Sequence, residues 1–224
     1  FVYSDVDSMI IPFNNAMLRR TGPTMVASRR PQPNAGRRPR RVLGMVDFTF
    51  NGFGRLPGVD YGLDDTLTGT LLGLVDSSSG MTERVFSMMV SEGGSWVTDG
   101  NGTAIASEAI LTDQRRNPGW STTTVERELR RNVGVDHFIW LPRGLTQGAA
   151  PEGWGGYMDQ LVAFHSPGRV LLHNQSDPSH PDHEVTNQAR EILQQATDAH
   201  GNSLDIIEIP APQAHSDMRG PVNW

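Results

Sequence analysis

Cysteine is absent from the 224 residues. The chain therefore has no disulfide framework, no thiolate metal site and no cysteine nucleophile of its own. Lysine is absent as well, because all 19 basic residues are arginine. That excludes Schiff-base chemistry, a lysine general base and the P-loop, whose lysine must reach the phosphates. No run approaches the roughly 18 apolar residues of a spanning helix, so no membrane partner is expected. What remains is a turn-rich globular composition, with 24 Gly, 15 Pro and 37% hydrophobic residues. This length suffices for one substantial domain with a buried core. The formal charge of -6 argues against nucleic acid as the main partner.

The charge is unevenly placed. Eight arginines and no acid lie between Arg19 and Arg41, so the rest of the chain carries -14. The stretch RRPQPNAGRRPRR, Arg29–Arg41, contains prolines and a glycine that oppose regular structure. It reads as an exposed Arg/Pro-rich loop of a hairpin over residues 28–41. The alternatives are a contact surface for an acidic partner, membrane or nucleic acid, or a disordered insertion or linker. No aromatic is interleaved with the arginines, which gives base stacking little support. Two triplets, Asn101-Gly-Thr103 and Asn174-Gln-Ser176, satisfy the glycosylation rule and open a secreted alternative for localisation.

Periodicity predicts alternating strands and helices. Extended runs are expected at Ser8–Pro12, Pro23–Ala27, Val42–Phe50 and Phe86–Val90, with helical spacing of leucines over Thr66–Val75. A helix over Ser121–Asn132 starts at a capping serine and places Val125 and Leu129 on one face. Strand His137–Leu141 follows. Strands Gln160–His165 and Arg169–His173 precede a helix over His183–His200, ended by Gly201, and then strand Leu204–Ile209. Single helices punctuate the strands at intervals of roughly 60 to 70 residues, which suggests repeated ββαβ units. Segments 91–103 and 141–157 read as binding-prone loops.

The chemistry-bearing residues leave alternatives open. Glu92 opens a Glu-Gly-Gly stretch after a strand, where a carboxylate meets a cationic ligand or satisfies backbone N–H groups of a turn. Neither this stretch nor Asp99–Thr103 has the pattern of a nucleotide loop, and its acids repel phosphate. The histidines show no metal-ligand spacing; His180 and His183 flank a helix start, and no metal or other cofactor is expected. Trp154 lies between glycines, where it stacks on a flat ligand or forms an ordinary lid contact. Asp159 is the acid best placed to share that pocket.

Several segments together resemble the agmatine deiminase family, which is related to bacterial peptidylarginine deiminases. They are NNAMLRRTGPT (Asn14–Thr24), VDFTFNGFG (Val46–Gly54), the long stretch SEGGSWVTDG to QRRNPG (Ser91–Gly119), GWGGYMDQLVAF (Gly153–Phe164) and RGPVNW (Arg219–Trp224). Each glycine motif is weak alone, but their order and spacing cover almost the whole chain. The resemblance implies an α/β fold, a partial five-bladed α/β propeller (pentein) of ββαβ units around a central acidic pocket. It further implies hydrolysis of a guanidino group to a ureido group with release of ammonia. In the family a cysteine attacks the guanidinium carbon, carboxylates hold its nitrogens, a histidine moves protons, and no cofactor takes part.

Carried over residue by residue, the resemblance implies that Glu92 and Asp159 line the guanidinium pocket, with Arg19 beside it and Trp154 next to the matched segment. Gly22 and Pro23 match a supporting turn; Asn51, Gly93, Gly94, Asp99, Gly100, Arg116 and Asn117 match structural positions. The departures fall at the chemistry. Arg20 stands at the degenerate position of a guanidinium-binding aspartate, where a cation repels the ligand. Tyr157 replaces the histidine, and Met17 replaces an aromatic. The family's opening portion and its cysteine segment have no counterpart within residues 1–224, which read as one partial domain. The chain is accordingly expected to be a fragment or degenerate homologue, inactive alone and prone to self-association or to pairing with a complementing chain. A small guanidinium-type ligand is expected if the pocket survives. Agmatine is the ancestral substrate on this reading, with peptidylarginine or another guanidine as the alternative, and a non-catalytic cation-binding or structural role as the competing class. The resemblance favours the cytoplasm.

Overall fold

The computed structural model describes residues 10–30, 40–74, 81–146 and 156–212. Its described part consists of three units with one topology, each a three-stranded sheet. In the first, the single turn α1 (Leu18–Thr21) precedes β1 (Thr24–Arg30) and β2 (Arg40–Thr49), which pair antiparallel with Thr24 opposite Val46 and Arg30 opposite Arg40. Single turns α2 (Gly52–Arg55) and α3 (Gly62–Asp65) and helix α4 (Leu67–Leu74) then cross to β3 (Met81–Val90), which runs parallel to β2. The second unit repeats the plan with β4 (Trp96–Thr98), β5 (Thr103–Ser107), the turn α5 (Glu108–Leu111), helix α6 (Thr122–Val133) and β6 (His137–Leu141). In the third, the turn α7 (Met158–Leu161) leads into β7 (Val162–Ser166), β8 (Arg169–Asn174), helix α8 (Asp182–Gln195) and β9 (Asp205–Pro210). A parallel pairing needs a crossover, and in each unit a helix supplies it.

The expected ββαβ repeat is therefore present three times among the described residues. The described residues form three such units, fewer than the five of a closed five-bladed propeller. No described helix is long and apolar enough to cross a membrane.

Local sequence explains the best-formed elements. The Ser121 hydroxyl accepts from the Thr124 N–H at 3.3 Å and caps α6, while Gly134 at φ 70° ends it. Val125 and Leu129 are fully buried from the same face and pack with Met89 of β3, joining the first two units. Val185, Ala189 and Leu193 do the same for α8 against Ile139, Leu141 and Leu172, joining the second and third.

Four expectations need correction. Ile10–Pro12 form no strand, and Ser8 and Met9 lie outside the described residues. The segment 91–103 is not all loop: β4 occupies Trp96–Thr98 and its partner β5 is buried at every position. Helix α8 stops at Gln195, not at Gly201, because Ala196 turns extended and Thr197 bridges Ser203. The loop expected over 28–41 is strand at both ends, where Ser28, Arg29 and Arg30 pair with Val42, Arg41 and Arg40; residues 31–39 lie outside the described residues.

Candidate functional site

Four segments far apart in sequence meet where the three units converge. The turn α1 supplies Arg19 and Arg20, the turn after β3 supplies Glu92–Gly94, the loop after α5 supplies Asp113, Arg115 and Arg116, and the start of α7 supplies Tyr157 and Asp159. Backbone bonds fix their approach. The Gly93 N–H donates to the Arg20 carbonyl at 3.0 Å, and the Met158 N–H donates to the Gly94 carbonyl at 2.8 Å.

The two glycines are a steric requirement. A Cβ on Gly93 would lie 1.8 Å from the Arg19 carbonyl oxygen. A Cβ on Gly94 would lie 2.1 Å from Arg20 Nη1 and 2.4 Å from Asp159 Cγ, and its φ is +89°. Only glycine lets the chain pass between the arginine and the carboxylate.

Glu92 is buried and ion-paired. Arg116 Nε donates to its two oxygens at 2.9 and 3.1 Å, and both side chains are sealed from solvent. Arg116 also reaches Asp113 through Nη1 at 3.2 Å. Burial acts against the Arg116 charge, but Glu92, Tyr157 and Asp113 outweigh it and raise the guanidinium above its ordinary value. Burial likewise pushes the Asp113 carboxyl up, yet hydrogen bonds from Arg115 and the charges of Arg115 and Arg116 hold it below the usual range.

Asp159 is engaged on two sides. Arg20 Nη1 lies 3.0 Å from each of its oxygens, and Arg19 Nη2 lies 2.9 Å from Oδ2. Arg19 is 75% exposed, whereas Arg20 and Asp159 are nearly enclosed. Arg20 also donates to the Gly93 carbonyl and stacks on Tyr157, its guanidinium carbon 3.8 Å from the ring centroid. Tyr157 is itself buried; burial first, then the Glu92 charge, pushes its phenol far above the ordinary tyrosine value, and Arg116 and Arg20 only partly offset this.

The structure thus brings Glu92, Asp159, Arg19, Arg20 and Tyr157 together. Trp154 lies outside the described residues. Arg20 does more than repel a cation: it is seated on the acid expected to hold one. The carboxylates Glu92, Asp113 and Asp159 face four guanidiniums, those of Arg19, Arg20, Arg115 and Arg116, so the expected acidic pocket is answered internally. The resemblance places Arg116 among structural positions and gives Asp113 no role, whereas both join the cluster. The signal available was a charged residue inside the matched RRNP stretch, with no local pattern linking it to Glu92. Asn117 is scaffold as expected, bonding the Val90 N–H and carbonyl at 2.9 Å each and the Leu111 carbonyl at 3.0 Å. Asn51 caps Gly54, and Asp99 accepts the Asn101 and Thr103 N–H groups.

Among the described residues no group of three or more His, Asp or Glu is arranged to hold a metal ion. His180 Nδ1 accepts from the Asp182 N–H, and His183 Nδ1 contacts the Gln175 carbonyl, so both serve the entry to α8. A cavity of 510 Å³ sits on the first unit, lined by Asp47, Asp65, Arg84 and Phe86 among others, and contains none of the clustered residues.

The family model for Porphyromonas-type peptidyl-arginine deiminase matches residues 2–223. An agmatine deiminase of Stutzerimonas stutzeri is 35% identical over 202 residues, covering 89% of this chain and 50% of that protein. One from Medicago truncatula is 34% identical over 205 residues, covering 90% of this chain and 52% of that protein. The solved agmatine deiminase of Enterococcus faecalis superposes with a TM-score of 0.76 at 25% identity, covering 94% of this chain and 53% of that one. The chain spans about half the length of the relatives it matches.

Proposed function

The chain belongs to the Porphyromonas-type peptidyl-arginine deiminase family, and on that premise we propose that these 224 residues are, by themselves, a catalytically silent member of the agmatine deiminase group. The ancestral reaction on this reading converts agmatine and water to N-carbamoylputrescine and ammonia, a step in polyamine synthesis.

The observation that carries the reading is the chemistry of the cluster. Deimination needs a nucleophile to add to the guanidinium carbon and a group that passes protons to the leaving ammonia and from the entering water. The sequence holds no thiol. At the position of the expected histidine stands Tyr157, a buried phenol held protonated far above neutral pH. Glu92 and Asp159 are already paired with arginines of the chain itself.

That internal pairing favours the non-catalytic, structural role over peptidylarginine or another guanidine as an alternative substrate. The same reading includes association of the chain with itself or with a complementing chain that brings a thiol, and the cytoplasm as its place. The test is a search for ureido product after incubating the chain with agmatine and, separately, with an arginine-containing peptide. No product from either is expected. Product from one of them, lost in Asp159→Asn, would overturn the silent reading and name the substrate.

A further inference from the structure

Arg20 has the surroundings of a bound ligand. Its Nη1 donates to both oxygens of Asp159 at 3.0 Å and also to the Gly93 carbonyl. Its planar head lies on the Tyr157 ring at 3.8 Å, and only 11% of the side chain is exposed. A carboxylate, a carbonyl acceptor and an aromatic face together suit a guanidinium: the first two accept from its Nη1 and answer its charge, and the ring covers its flat face. Gly94 shows that the surroundings are shaped for this occupant, since even a methyl group there would overlap both Arg20 Nη1 and the Asp159 carboxyl.

Arg19 touches the same carboxylate from outside. At 75% exposure that contact is an ordinary surface pair of little weight. Arg116, the other buried guanidinium, is held differently, by Glu92 and Asp113. Arg20 has the Tyr157 ring face and the Gly93 carbonyl besides its carboxylate.

We propose that Asp159, the Gly93 carbonyl and the Tyr157 ring form a guanidinium receptor whose resident ligand is the side chain of Arg20, so that free alkylguanidiniums bind there only when that side chain is removed. The proposal rests on the silent reading above and deepens it by naming what fills the site. A side chain tethered to the folded chain at α1 presents its guanidinium at an effective concentration of roughly millimolar or higher, without the entropic cost of capturing a free molecule. A free guanidine therefore competes poorly with it.

The test titrates the full chain with methylguanidinium chloride in the millimolar range at constant ionic strength, with methylammonium chloride as the control. The readout is thermal midpoint together with calorimetric binding. The unaltered chain should respond equally and weakly to both salts. Arg20→Gly should gain saturable binding selective for methylguanidinium, about tenfold or more over the unaltered chain, and Arg20→Gly with Asp159→Asn should lose it. Should Arg20→Gly fail to fold, refolding with each salt decides: recovery selective for methylguanidinium supports the proposal, and recovery with both or neither overturns it. Saturable, Asp159-dependent binding by the unaltered chain also overturns it, as does a folded Arg20→Gly that binds nothing. Binding by the unaltered chain without ureido product would sink this proposal and leave the silent reading standing, so the two failures are distinguishable.

Discussion

Arg116 and Glu92 form a sealed ion pair at the meeting point of the first two units, with the arginine Nε 2.9 and 3.1 Å from the two carboxylate oxygens. A pair this deep is held by geometry. Its partners have given up hydration that the mutual contact replaces, together with Asp113 beside Arg116 and Ser95 beside Glu92.

Glu92→Gln should therefore destabilise the chain by roughly 3–5 kcal/mol, because the buried Arg116 loses the carboxylate to which its Nε donates. Urea unfolding checks this. Combining Glu92→Gln with Arg116→Met should cost clearly less than the two single changes added together, since neither charge is then stranded.

The passage of the chain between Arg20 and Asp159 predicts a contrast between two glycines. Gly94 has φ +89° and no room for a Cβ, whereas Gly100 has φ +69° and open space around it. Gly100→Ala should cost only the left-handed backbone strain, about 1–2 kcal/mol. Gly94→Ala should cost more than that, and thermal midpoints of the two variants give the order. Equal losses would contradict the close approach.

Stability should also fall with mild acid. Burial lowers the His173 pKa below its ordinary 6.5; Asp182 opposes this and His180 adds to it. The unfolded chain therefore takes up a proton that the folded chain refuses. Stability from this group is intact above about pH 6.5 and declines as pH falls through the depressed folded value. Unfolding curves between pH 7.5 and 5.5 check it, and His173→Asn should flatten the decline over that interval.

Much of the fold is legible in the residues, for reasons that also explain the errors. Strand β6 falls where Phe138, Ile139, Trp140 and Leu141 predict it, and α6 follows from its serine cap, its Val125–Leu129 face and Gly134. Strand β5, Thr103–Ser107, is buried on both faces and made of small residues, so it has no alternation to read. The overlong helix at α8 has the opposite cause. Ala196 and Ala199 continue its apolar stripe, but Asp198 accepts the His200 and Asn202 N–H groups and builds a turn instead. The site is less legible. Arg116 is 24 residues from Glu92, and Arg20 is 139 from Asp159, so no local spacing links them. Resemblance to the family marks Glu92, Asp159, Arg20 and Tyr157 as positions of interest. That the acids are filled by the chain's own arginines follows only once three units fold onto one another.

The cluster should perform no deimination in these 224 residues alone. Ammonia release from agmatine by the purified chain is the measurement that decides, with a full-length agmatine deiminase as positive control and Asp159→Asn to expose contamination. Release should be no greater than from the Asp159→Asn protein. Release well above that background, abolished by Asp159→Asn, would contradict it and require a nucleophile other than cysteine.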